Sequence, residues 1–155
     1  MQFVEMEPFT ALGLAAAIVQ FVQFSSRILS ASREIYVSHN GLSKHHESLD
    51  GISTHMLKIV EELDHSAIDV GVNPFAIKEE EGLVALSTKC KVTAGELQSL
   101  LRKLRTTPGG RIPSFRQAVK GVLGNRKLGD MEASLKEYRL ELMVHLAAIT
   151  RYERF

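Results

Sequence analysis

Apolar positions recur three and four residues apart through most of the chain, and few stretches alternate with a period of two. That pattern predicts helices throughout. One stretch departs from the usual amphipathic form. From Pro8 to Ser26 the sequence reads PFTALGLAAAIVQFVQFSS, 19 residues without a charge and mostly apolar. As a helix it would be about 28 Å long at 1.5 Å per residue, close to the hydrocarbon thickness of a bilayer. A helix apolar on nearly every face is either the buried centre of a bundle or a membrane-seeking segment.

The first helix is expected from about Phe9 to about Val37, with Pro8 in its first turn. Leu14, Ile18, Phe21, Ile28 and Ile35 share one face, and Leu12, Val19, Val22 and Leu29 an adjacent one. Ala11, Gly13, Ala15 and Ala17 form small-xxx-small pairs that suit a crowded helix crossing. Asn40-Gly41 reads as a left-handed stop. Ser43 is the candidate cap of a second helix reaching about His65, with Leu49, Ile52, Met56, Ile59, Val60 and Leu63 on its core side. Ala67 to Ile77 reads as an ordered connection packed on the bundle. A third helix, from about Glu79 to Leu104, carries the stripe Leu83, Leu86, Cys90, Ala94, Leu97, Leu101 and Leu104. The break TTPGGRIP follows. A short helix capped by Ser114 should place Phe115, Val119, Val122 and Leu123 inside. After Gly124-Asn125 a last helix takes Leu128, Met131, Leu135, Tyr138, Leu142, Leu146 and Ile149 at near-heptad spacing. The expected fold is all-α, a bundle of four long helices plus a short one. The 155 residues fit a single domain. The last helix reaches Phe155 without a stop signal, which reads as a domain cut from a longer chain.

Net charge is +1, so the overall balance selects no partner. Its distribution is uneven. Glu47 to Glu81 holds nine acidic and two basic residues, whereas Leu97 to Gly129 holds eight basic residues and no acidic one. The two segments either face each other or solvate the surface, or the second offers cations to anionic lipid or an acidic partner. The candidate contacts are Arg102, Lys103, Arg105, Arg116, Lys120, Arg126 and Lys127. Nucleic acid is not the expected partner, because this segment has Phe115 as its sole aromatic and no binding motif. One cysteine, Cys90, excludes an internal disulfide framework and fits a reducing, cytoplasmic setting. The N-terminus carries Glu5 and Glu7 where a signal peptide needs basic residues.

No catalytic constellation emerges, and the chain is not expected to be an enzyme. His39, His45, His46, His55 and His65 lie in one region but lack the spacing of a metal pair on one helix face. They read as surface residues, and His145 as half-buried and hydrogen-bonded. Cys90 sits on an apolar stripe, where a free cysteine behaves as a small hydrophobe. Glu79, Glu80 and Glu81 suit the positive end of a helix. Pro108 to Arg111 lacks the Gly-Lys-Ser/Thr of a phosphate loop. Neither cofactor nor metal is implied.

Three passages carry a resemblance. MEPFTALGLAAAIVQFVQFSSRILSASREIY (Met6 to Tyr36), LSTKCKVTAGELQSLLRKLR (Leu86 to Arg105) and SFRQAVKGVLGNRKLGDMEASLKEYRLELMVHL (Ser114 to Leu146) together cover most of the chain. The chain resembles the HeLo-like and SesA-like N-terminal domains of fungal NLR-like (STAND) receptors. Leu123 departs from the Trp that many relatives carry. The resemblance implies a cell-death effector or signalling domain, followed by a nucleotide-binding domain in the same receptor. Such a domain would be cytoplasmic, homo-oligomerise on activation and move to an anionic membrane. Its first helix would target or permeabilise the membrane, with Phe9, Leu12, Leu14, Ile18, Val19, Phe21, Val22 and Phe24 as the inserting residues. The alternative is a soluble helical adaptor that recruits a separate effector protein, or a domain that only scaffolds its receptor.

Overall fold

The long apolar helix α1 runs from Gln2 to Ser30 and packs against all four other helices of the bundle. These are α2 (Leu49–Gly71), α3 (Lys78–Arg105), the nine-residue α4 (Phe115–Leu123) and α5 (Asn125–Glu153). The computed structural model describes residues 2–30, 35–36, 49–72, 77–105, 111–112 and 115–153, with side chains placed within 11–30, 49–72, 77–104 and 116–151. The fold is the expected all-α bundle, four long helices and a short one. A two-residue antiparallel pair, β1 (Ile35–Tyr36) with β2 (Arg111–Ile112), ties two connections together.

Helices α2 and α5 run antiparallel to α1 and α3. The Phe24 ring of α1 meets His55 of α2 at a tilt of 45°, with ring centroids 4.2 Å apart. Lys91 of α3 reaches Asp64 of α2 at 3.0 Å. Lys89 bonds Glu141 of α5 at 3.1 Å, and the Thr93 and Tyr138 hydroxyls are 2.9 Å apart. Further along, Gly82 lies under the His145 ring. Rising numbers on α3 thus meet falling numbers on α5, and α1 and α5 are likewise antiparallel. At Gly124 the backbone takes φ +87°, a left-handed conformation that glycine adopts without Cβ strain. The turn lays α4 back along α5, closed by Arg116 to Glu132 at 2.7 Å.

The predicted stripes make one core. Leu14, Ile18, Phe21, Ile28, Leu49, Met56, Leu63, Leu83, Leu97, Leu101, Leu135 and Leu142 are all buried. Helix α1 keeps a narrow wet stripe of Leu12, Gly13, Ala16, Gln20, Gln23 and Arg27, one turn after another on one face. Three sides are covered and the fourth, Leu12 apart, is small or polar, which reconciles its composition with a water-facing bundle.

Several local expectations are corrected. Helix α1 is described from Gln2, so Pro8 sits in its second turn and forfeits one backbone bond rather than opening the helix. It ends at Ser30, and Ile35 pairs with Ile112 in the β1–β2 ladder instead of extending a helical face. Leu12 is half exposed and Gly13 faces open space, so the crowded crossing does not include Gly13; Ala11, Ala15 and Ala17 are buried. Helix α2 continues beyond His65 to Gly71, because Ala67 and Val70 extend the buried stripe of Leu63. Val122 is exposed, since nine residues of α4 bury one row of side chains and Val119 occupies it. The Asn40-Gly41 stop and the Ser43 and Ser114 caps lie outside the described residues. Helix α3 opens with half a capping box: the Ile77 N–H donates to Glu80 Oε1 at 3.0 Å.

Candidate functional site

The helix order sorts the charges. Level with each other at one end of the bundle are the last turns of α3, bearing Arg102 and Lys103, and the α4–α5 turn, bearing Lys120, Arg126 and Lys127. All five are exposed. Arg27 near the end of α1 belongs to the same end. The opposite end carries Asp69 of α2 and Glu79, Glu80 and Glu81 of α3, whereas Asp64 meets Lys91 at mid-bundle and Glu62 shares a cavity with Arg27. Along α3 the acidic run at Glu79 to Glu81 and the cations Arg102 and Lys103 are therefore about 33 Å apart at 1.5 Å rise per residue, while Asp50, in the first turn of α2, lies at the basic end. Arg116 is paired with Glu132. The side chain of Arg105 lies outside the described residues.

The candidate inserting residues occupy one helix but different environments. Leu14, Ile18, Phe21, Val22 and Phe24 are buried, Val19 is half-buried, and Leu12 is exposed. The side chain of Phe9 lies outside the described residues. Ala11–Ser30 is a 20-residue stretch long and apolar enough to cross a membrane by length and composition; a core helix of a soluble bundle meets the same criteria.

Two surface depressions flank α1. On its α2 side a cavity of about 510 Å³ is lined by Gln20, Phe24, Arg27, His55, Lys58 and Glu62. The Arg27 guanidinium lies 5.3 Å from the Phe24 ring centroid, a cation–π contact. On the α5 side a groove of about 530 Å³ runs between Val19, Val22 and Leu135, Leu142, Leu146. Sequence reading missed it, because its walls come from helices more than a hundred residues apart. The outer face of α5 also carries Leu140, Met143 and Val144, all exposed. The signal for this second apolar row, spaced three and four apart, was present beside the inner row.

Cys90 is fully buried. Burial, then the Glu141 carboxylate, push its thiol from the ordinary 9.0 up to about 12, against Lys89. A thiol held neutral in this way is a poor nucleophile. His55 meets the Phe24 ring at a tilt, and exposed His65 lies 3.9 Å from Asp69 one turn on. His145 is half-buried over Gly82. Among the described residues no cluster of three or more His, Cys, Asp or Glu side chains could hold a metal ion. His39, His45 and His46 lie outside them.

Comparison with known proteins finds no protein family, curated protein or solved structure that matches the chain. The likeness to fungal receptor domains rests on the sequence passages themselves.

Proposed function

We propose that this domain is a membrane-directed signalling effector, the N-terminal cell-death domain of a fungal NLR-like receptor, with α1 as a latent membrane segment. The observation that carries the reading is α1 itself: a bilayer-length apolar helix placed where it touches every other helix. Removing it would expose Leu14, Ile18, Phe21, Val22, Phe24, Ile28 and Leu29. At about 1.5–3 kcal/mol per large side chain that is roughly 10–20 kcal/mol, as much as the ~5–15 kcal/mol stability of a whole domain. Helix α1 therefore stays packed in water. Hydrocarbon receives the same side chains favourably, so release needs a nearby bilayer and the high local concentration of an oligomer. The cations at one end would supply the electrostatic signal that a marginal membrane segment requires. The domain would rest in the cytoplasm beside a downstream nucleotide-binding domain and move to an anionic membrane on oligomerising.

The test is dye leakage from anionic and neutral vesicles by the chain, with α1 free or cross-linked to α2. Cysteines at Gln20 and Glu62, which line one cavity, can be joined by a short bis-maleimide; buried Cys90 does not compete. Leakage from anionic vesicles that stops on cross-linking is expected. Undiminished leakage from the linked protein refutes release of α1. Absence of leakage even when the domain is forced to oligomerise refutes permeabilisation. That last result would favour the adaptor reading, which the exposed Leu140, Met143 and Val144 on α5 support as a contact face.

A further inference from the structure

The groove between α1 and α5 has a chemical polarity of its own. Because the two helices are antiparallel, Gln23 and Ser26 on α1 lie at the same end as Lys136 and Arg139 on α5, and all four line the groove. The floor is Val19, Val22, Leu135, Leu142 and Leu146, and Met143, one turn beyond Arg139, forms an exposed apolar lip. Lys136 and Arg139 stand three residues apart on one helix face, a like-charged pair that is unfavourable by itself. Neither meets a carboxylate among the described residues. The acid one turn before Lys136 is Glu132, which is bonded to Arg116 at 2.7 Å. Two unneutralised cations and two hydrogen-bonding side chains at the head of an apolar trough match a single-chain anionic amphiphile. The volume of about 530 Å³ falls within the usual range for small-molecule sites. From Lys136 to Leu146 the trough extends about 15 Å at 1.5 Å per residue, the reach of an extended chain of roughly a dozen carbons.

We infer that this groove binds a free long-chain fatty acid, its carboxylate held by Lys136 and Arg139 and its tail lying along the floor past Met143 toward Leu146. The site does not depend on the membrane reading of α1, and its test reads binding alone. Titration calorimetry with dodecanoate, below its micelle concentration, should show one site per chain. Dodecanol, which keeps the tail and lacks the charge, should bind at least about tenfold more weakly. Each methylene removed should weaken binding by up to about fourfold, the value for a fully buried group, so octanoate should be far weaker than dodecanoate. Lys136→Glu with Arg139→Glu, and separately Met143→Glu at the lip, should abolish binding. All three positions are exposed and their substitution leaves the core intact. Arg126→Glu with Lys127→Glu should leave binding unchanged. Equal binding of dodecanol, insensitivity to both groove variants, or no dodecanoate binding overturns the proposal. Binding only to anionic vesicles, lost in the same variants, overturns it in favour of a bilayer surface.

Discussion

The packing of α3 on α5 can be tested at Gly82. A Cβ at this position would lie 2.4 Å from His145 Cε1 and 2.8 Å from Nδ1. Heavy atoms pack at about 3.5–4.0 Å, so Gly82→Ala must push the imidazole away by about 1 Å or more. Crowding of this kind costs roughly 1–3 kcal/mol. Against it, Ala is favoured over Gly inside a helix by about 1 kcal/mol, and Gly82 is the fifth residue of α3. The single substitution should therefore be neutral to destabilising, by about 0–2 kcal/mol. With His145→Ala present the clash is gone and the propensity remains, so Gly82→Ala should then stabilise by about 1 kcal/mol. The interaction energy between the two substitutions should be about 1–3 kcal/mol. Urea unfolding followed by far-ultraviolet circular dichroism measures all four proteins, since the chain has no Trp to report. If Gly82→Ala stabilises equally with and without His145, the ring does not lie over residue 82 and the α3–α5 register is wrong.

Two further outcomes are expected. Leu101→Ala should cost about 2–5 kcal/mol, because Leu101 is buried in the core and truncation leaves a cavity; a loss below about 1 kcal/mol by urea unfolding would place it outside the core. Cys90, with its thiol held up to about 12 from 9.0, contributes stability that is complete below pH 9 and declines as pH rises through that interval, because the unfolded thiol ionises first. The fall in urea midpoint above pH 9 should be shallower in Cys90→Ala, and parallel curves for the two proteins would show that burial does not hold the thiol neutral.

The long-range core was legible because helix periodicity repeats. Leu83, Leu86, Cys90, Ala94, Leu97, Leu101 and Leu104 fall every three or four residues, and each is buried as that spacing requires. Ends were less legible, because local signals compete with tertiary packing. His65 looked like an end of α2, yet Ala67 and Val70 find partners and carry the helix further. Ile35 fits a helical stripe by spacing, but its β-branch also suits a strand, and pairing with Ile112 decides between them. Val122 was assigned to the core by spacing alone, whereas a nine-residue helix packed on one side leaves it exposed. The groove was not legible at all. Val19 and Leu146 are neighbours only after four helices have packed, and no local pattern records that. The basic segment was visible as composition, but its gathering at one end, away from Glu79, Glu80 and Glu81, follows from helix order.

That gathering constrains how the domain could meet a membrane. Helix α1 is 29 residues long, about 43 Å by helical rise, and its C-terminal end lies among the cations. Its N-terminal end lies with Asp69 of α2 and Glu79, Glu80 and Glu81 of α3. If the cations dock the bundle, the bilayer faces the end of α1 that carries Arg27, and the other end is held away from an anionic surface by like charge. Simple extension of the N-terminus into lipid is then disfavoured, and α1 must leave the bundle as a whole. Recruitment and insertion become separable steps. Lys120→Glu, Arg126→Glu and Lys127→Glu together should lower binding to anionic vesicles, at about 1 kcal/mol per contact, whether or not α1 is free to move. Cross-linking α1 to α2 should leave that binding intact and remove leakage alone. If cross-linking abolishes binding and leakage together, α1 itself makes the first contact and the basic end does not recruit the domain.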